Sequence, residues 1–172
     1  MKAPIPGLWK QSNGAVGFKS GTGEWSTPQA FFDKLNKGFN FTLDPCADAT
    51  NAKCQTYYTT KENGLAQNWG GHHVFVNPPY GRRIGEWIEK GYKESHKHNT
   101  VVVMLLPART DTKWWHDYVM KAKEVHLVRG RLKFGGCSAP APFPSAVVLF
   151  HSDTMLKSAV SLAPNIYSME RT

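Results

Sequence analysis

The sequence predicts an α/β fold whose sheet is mainly parallel, covered on both faces, with one antiparallel edge. Three observations predict it. Residues 101–106 form an unbroken apolar run between Thr100 and Pro107, the mark of a strand buried on both faces. Strand-like and helix-like stretches alternate along most of the chain, as crossover-linked parallel strands require. The last two strand-like stretches, 124–134 and 145–150, follow one another without a helix. They make a hairpin, and hence an antiparallel edge.

The elements follow in order. Residues 1–24 are rich in Gly, Lys and Ser and show no periodicity, so they read as a flexible arm ahead of a single domain, 25–172. Thr27 suits a helix N-cap and Pro28 the first helical position. Ala30, Phe31, Leu35 and Phe39 give that helix its apolar face, and Gly38 marks its end. Residues 39–43 alternate apolar and polar and run into Asp44-Pro45-Cys46-Ala47, a strand entering a loop. The stretch 48–71 is polar, with a short strand near Tyr57 and Tyr58. Val74-Phe75-Val76 is a buried strand, and Ile84, Trp87, Ile88 and Tyr92 give a helix over 84–96. A short helix spans 114–120, a Gly/Pro/Ala loop spans 135–144, and a final helix is expected at 154–163.

Composition narrows the function. The formal charge of +8 favours an acidic partner, and nucleic acid is the commonest. Basic residues also gather locally: Arg82 and Arg83, then Arg109 with Lys113, then Arg129, Arg131 and Lys133. No apolar run approaches the roughly 20 residues that span a bilayer. Met1 to Gly7 lacks the apolar core of a signal peptide. Cys46, Cys54 and Cys137 match no zinc spacing, and the seven histidines, His96 and His98 included, form no ligand pattern. The expectation is a reduced, cytoplasmic, metal-free protein. Trp114 and Trp115 read as packing residues, and Arg109 with Asp111 as either a buried ion pair or a ligand contact.

Chemistry concentrates at Asn77-Pro78-Pro79-Tyr80, directly after the strand 74–76. Two consecutive prolines cannot continue a helix or a central strand, so the chain stiffens as it leaves the sheet. In open α/β sheets ligands bind at this end of the strands. A rigid Asn oxygen and the Pro78 carbonyl can accept both N–H groups of an exocyclic amine, while the Tyr80 ring stacks on its base. That arrangement suits methylation of an amino group on a base.

The tetrapeptide resembles the (D/N/S)PP(Y/F) motif of amino-methyltransferases that use S-adenosylmethionine. Trp25-Ser26-Thr27-Pro28 resembles the element of those enzymes that holds the cofactor carboxylate. Asp44-Pro45-Cys46-Ala47 resembles their DPFxGxG motif, except that Asp48-Ala49-Thr50 stands where glycines belong. Gly64-Leu65 with Trp69 resembles the segment that closes on the cofactor adenine, with Asn63 in place of Asp. Leu105 to Thr112 and Arg129 to Gly136 complete a set whose order is similar to phage-type DNA N6-adenine methyltransferases, the small Dam family of phages and prophages.

The resemblance implies a Rossmann-like, S-adenosylmethionine-dependent methyltransferase acting on adenine N6 in DNA after base flipping. It implies catalytic Asn77, Pro78, Pro79 and Tyr80. Trp25, Ser26, Thr27, Pro28, Asp44, Pro45, Cys46, Ala47, Gly64 and Leu65 would bind the cofactor. Arg82, Arg83, Arg109, Arg129, Arg131 and Lys133 would meet DNA. Three other readings compete. They are N4-cytosine methylation, methylation of protein glutamine, and an inactive DNA-binding module suggested by the missing glycines.

Overall fold

The computed structural model describes residues 25–152 apart from 136 and 138. The arm 1–24 and the expected helix 154–163 lie outside the described residues. Among the described residues, six strands form one sheet in the order β2-β1-β3-β4-β6-β5. These are β1 (Leu43–Asp44), β2 (Thr56–Tyr57), β3 (His73–Val76), β4 (Val101–Pro107), β5 (Glu124–Leu127) and β6 (Ser145–His151). The first four pair in parallel, while β6 is antiparallel to both β4 and β5. The antiparallel part is therefore two strands wide. Because β6 opposes both neighbours, β5 runs in the same direction as β3 and β4.

Among the described residues, three α-helices cover the sheet: α1 (Gln29–Phe39), α2 (Ile84–Glu94) and α3 (Lys113–Asp117). Successive side chains of a strand point to opposite faces. On β4, Val102, Met104 and Leu106 join one cluster with Ile84 and Ile88 of α2 and Trp115 of α3. Val101, Val103 and Leu105 join the other, with Phe31, Phe32 and Leu35 of α1. A strand apolar at every position needs both coats, and all seven residues of β4 are buried.

Several element boundaries differ from the sequence expectation. Thr27 does not cap α1. Pro28 stands at the cap position with no side-chain bond, and its carbonyl accepts from the N–H groups of Phe31 and Phe32 at 3.1 Å. The Thr27 hydroxyl is engaged elsewhere, as described below. The helix also passes Gly38 and ends at Asn40, whose φ of 49° is left-handed, a conformation Asn tolerates. That shortens β1 to two residues. The expected strand 124–134 stops at Leu127, because the chain turns through Gly130 at a φ of 81°. The expected helix 84–96 ends at Glu94, and 114–120 resolves into α3 and a 3-10 turn at Val119–Lys121.

The loop between β2 and β3 is polar and lacks periodicity, yet it is tied down. Glu94, at the end of α2, is buried and accepts from the Trp69 N–H at 2.8 Å. Its other oxygen accepts from Lys90 and Lys97, each at 2.8 Å. Trp69, fully buried, donates its indole N–H to the Gly64 carbonyl at 2.9 Å. The end of one helix thereby fixes a loop that walls the site.

Candidate active site

A cleft of about 1220 Å³ opens at the carboxyl ends of β1 and β3. Single-ligand pockets span roughly 300–1,000 Å³, so this one lies just above that range. Four segments supply most of its lining: the entry to α1, the loop after β1, the facing stretch 59–65, and the end of β3 with the turn after it; Trp87 of α2 and Gly135 complete it.

Asn77 follows β3 directly and lines the cleft. Its amide nitrogen donates to the Trp25 carbonyl and, at 2.9 Å, to the Thr27 hydroxyl. A carbonyl oxygen can only accept, so the NH₂ must face Trp25 and the orientation of the amide is decided. The other end, Oδ1, is buried and has no hydrogen-bond partner among the described residues. Its backbone carbonyl accepts from the Cys46 thiol at 3.2 Å. Asn77 is thus held at both ends of the residue, with a single acceptor left over.

Pro78 is buried and Pro79 exposed, and both line the cleft. The Gly81 N–H closes on the Pro79 carbonyl at 3.0 Å, a tight turn that launches α2. Tyr80 does not line the cleft. Its hydroxyl donates to the Leu105 carbonyl at 3.0 Å, and its ring meets Phe134 and Phe143 edge-on at 6.2 and 5.4 Å. Burial pushes its phenol well above the ordinary value. Trp25 packs on the same two rings, at 5.4 and 5.3 Å.

Asp44, Pro45, Cys46 and Ala47 all line the cleft. Asp44 is only 4% exposed, and its oxygens accept from the N–H groups of Lys53 at 3.1 Å and Cys46 at 3.4 Å. Burial nonetheless raises its carboxyl to about 6. Burial, and then the charge of Asp44, lift the Cys46 thiol as well. Where glycines were missing, Asp48 organises the turn instead. Its Oδ1 accepts from the Thr50 N–H at 2.7 Å and hydroxyl at 2.6 Å.

Of the other expected cofactor residues, Trp25, Ser26, Thr27, Gly64 and Leu65 line the cleft, and Pro28 does not. Arg82 and Arg83 stand at its edge, Arg83 paired with Glu86 at 2.7 Å on the exposed surface. Arg109, Arg129, Arg131 and Lys133 are exposed and outside the lining. Because β3, β4 and β5 run the same way, all six basic residues nevertheless leave the sheet at one rim. Arg109 and Asp111 are both exposed, which removes the buried ion pair. Sequence reasoning missed Lys53, Thr59 and Trp87 in the lining. Trp87 sits on the apolar stripe of α2 and reads as core, while Lys53 and Thr59 lie in a stretch without periodicity.

A covered α/β sheet with a large cleft at the ends of its parallel strands, lined by a fixed Asn-Pro-Pro turn, is consistent with a methyltransferase fold. A family model described as DNA N-6-adenine-methyltransferase (Dam) matches residues 17–160. The chain is 35% identical over 119 residues to the DNA N-6-adenine-methyltransferase of Haemophilus phage HP1 (strain HP1c1), covering 67% of this chain and 68% of that protein. It is 34% identical over 110 residues to the DNA N-6-adenine-methyltransferase of Escherichia phage T1, covering 63% of this chain and 45% of that one. The chain belongs to the DNA N-6-adenine-methyltransferase (Dam) family, as the order of its motifs implied.

Proposed function

We propose that the cleft transfers a methyl group from S-adenosylmethionine to N6 of an adenine flipped out of DNA. The observation that carries this reading is the buried, unpartnered Oδ1 of Asn77 at the end of β3. A buried acceptor left without a donor costs about 1–3 kcal/mol, so the site favours a ligand that brings an N–H. An exocyclic amine does so.

The residues fit the cofactor. It carries positive charge at its sulfonium and ammonium, and Asp44 is a buried carboxylate that a nearby cation would stabilise. The volume exceeds that of a single-ligand pocket. Asp44, Pro45, Cys46, Ala47, Gly64 and Leu65 would hold the cofactor from the β1 side, and Trp25 and Ser26 from the α1 side. S-adenosylmethionine would supply a methyl group already activated on sulfur, so the protein needs to position rather than to activate.

The protein's own contribution is orientation. Asn77 Oδ1 and the Pro78 carbonyl accept the two N–H groups of the adenine amine and turn its lone pair toward the methyl group. As the nitrogen–methyl bond formed and the sulfur–methyl bond broke, leaving the neutral thioether, both oxygens would draw charge from those protons, one of which would pass to water. Pro79 keeps the two acceptors rigid. Tyr80 backs the turn from outside the cleft, its ring packed on Phe134 and Phe143 and its hydroxyl on the Leu105 carbonyl, and so holds the two acceptors in place. Arg82, Arg83, Arg109, Arg129, Arg131 and Lys133 meet phosphates along the rim, which favours nucleic acid over a glutamine side chain. The setting is the cytoplasm of a bacterial host.

Labelled methyl transfer onto unmethylated DNA, followed by nucleoside analysis, tests this. N6-methyladenine is the expected product. N4-methylcytosine as sole product would transfer the site to the other exocyclic amine. Incorporation into protein alone would support the glutamine reading. Cofactor binding without incorporation anywhere would leave a DNA-binding module.

A further inference from the structure

We infer that Thr27 is a positioning residue for Asn77, orienting its amide through a side-chain hydrogen bond rather than serving the cofactor or capping a helix. The inference rests on the proposed role of Asn77 and adds a residue to it.

Three observations carry it. First, Thr27 stands one residue ahead of the Pro28 cap position, and α1 has no side-chain cap bond. Second, Thr27 is buried and its Oγ1 lies 2.9 Å from the Asn77 amide nitrogen. Third, Asn77 Oδ1 is the atom left unpartnered. An Asn amide has two donors on one end and an acceptor on the other. The Trp25 carbonyl engages the first donor and Thr27 the second. With both donors held, a half-turn of the amide would set its NH₂ where Oδ1 now lies and its oxygen against the Trp25 carbonyl. Oδ1 therefore stays the unpartnered acceptor, the atom that the proposed function assigns to the amine.

The segment that supplies both contacts is itself anchored. Gly135 donates its N–H to the Ser26 carbonyl at 2.8 Å, and the Trp25 ring rests on Phe134 and Phe143. Thr27 is thus fixed from the loop that leads out of the Arg129 to Lys133 stretch.

Thr27→Val keeps the shape and removes the acceptor, and Thr27→Ser restores it. In the full-length protein, Thr27→Val is expected to slow single-turnover methyl transfer to DNA by about tenfold or more, while the dissociation constant for S-adenosylmethionine stays within about twofold, and Thr27→Ser recovers most of the rate. The second readout needs no turnover. In protein labelled with ¹⁵N-asparagine, the side-chain NH₂ signals of Asn77, assigned by their loss in Asn77→Ala, should shift in Thr27→Val and return in Thr27→Ser. Thr27→Ala serves the same test if the valine variant does not fold.

An unchanged rate, or unmoved amide signals, would overturn the inference. So would a loss of cofactor affinity as large as the loss of rate, which would return Thr27 to the cofactor. Failure of the wild type to methylate adenine is a separate outcome. It would remove the proposed function, and the amide signals would still decide whether Thr27 orients Asn77.

Discussion

Gly64 approaches Pro45 so closely that a methyl group on Gly64 would sit 1.8 Å from the Pro45 carbonyl oxygen. The obstructing atom is backbone, so no rotamer change can relieve the clash. Gly64→Ala is expected to force the two walls of the cleft apart. Overpacking of this kind costs about 1–3 kcal/mol, and the clash here is severe enough for the upper end. Cofactor affinity should fall together with stability. Urea unfolding and cofactor calorimetry on the same variant check this, and a variant with unchanged midpoint and affinity would contradict the close approach.

This contact bears on the missing glycines. Asp48-Ala49-Thr50 cannot give the β1 loop the backbone freedom of a glycine-rich turn. The structure shapes that loop with Asp48 side-chain bonds and meets it with Gly64 from the facing segment. A single sequence shows the absence in the first segment. It does not show which distant residue faces it.

Asn77→Ala should abolish methyl transfer and leave cofactor affinity nearly intact. The substitution deletes the unpartnered Oδ1 and both contacts of Nδ2, but no atom assigned to the cofactor. Retention of most of the wild-type turnover would remove Asn77 from the mechanism. Calorimetry and single-turnover rates on one preparation measure both quantities.

Tyr80 is embedded among Phe134 and Phe143 and bonded to Leu105. Tyr80→Phe loses one hydrogen bond, about 1 kcal/mol of stability, and should keep much of the activity. Tyr80→Ala opens a void in an aromatic cluster, at about 3–5 kcal/mol, and should weaken DNA engagement more than cofactor binding. Thermal unfolding with DNA titration separates the two. If Phe proved as damaging as Ala, the hydroxyl bond to Leu105 rather than the ring would carry the role of Tyr80.

Where local rules acted, the sequence was legible. The apolar run at 101–106 became the central strand β4, and the stripe Ile84, Ile88 of α2 became core. Asn77-Pro78-Pro79 reached the cleft because the prolines stop the strand whatever surrounds it. Features set by distant partners were not legible. Thr27 has the composition of a cap, yet it meets an amide 50 positions away. Tyr80 has the composition of an exposed stacking residue, but its ring is drawn toward phenylalanines of a later loop. Glu94 reads as one more acidic residue on a helix, and it anchors Trp69 from 25 positions away.

Asp44 gives a pH dependence of definite sign. Burial raises its carboxyl from 3.8 to about 6, so the folded state favours the protonated form. That contribution is fully present below the unfolded value and is lost as pH rises through about 6. A shift of this size corresponds to about 3 kcal/mol between the limits. Relative to Asp44→Asn, the wild type should gain stability as pH falls from neutral toward about 4. Asparagine also loses one acceptor for the N–H groups of Lys53 and Cys46, so the slope with pH, not the level, is the measurement. Cofactor affinity should move oppositely and weaken below about 6, as the carboxylate that faces a cation becomes neutral. A pH-independent difference between wild type and variant would show that Asp44 keeps an ordinary carboxyl.

The basic rim makes the last prediction. Arg82 and Arg83 stand at the cleft, while Arg109, Arg129, Arg131 and Lys133 leave the same end of the sheet. If these residues meet phosphates, binding releases condensed counterions and DNA affinity falls steeply with salt. Each lost contact should then lower the log–log salt slope by about 0.9 on duplex DNA. A generally basic surface predicts something different, namely small and similar effects wherever a positive charge is removed. Lys37, in the last turn of α1, is the control. Affinity measured across a salt series for Arg82→Ala, Arg131→Ala and Lys37→Ala distinguishes the cases. The two arginine variants should lose affinity and slope, and Lys37→Ala should match the wild type. Arg83 is a weaker probe than Arg82, because its guanidinium already pairs with Glu86. Equal slopes across all three variants would remove the phosphate-binding rim while leaving the chemistry at Asn77 untouched.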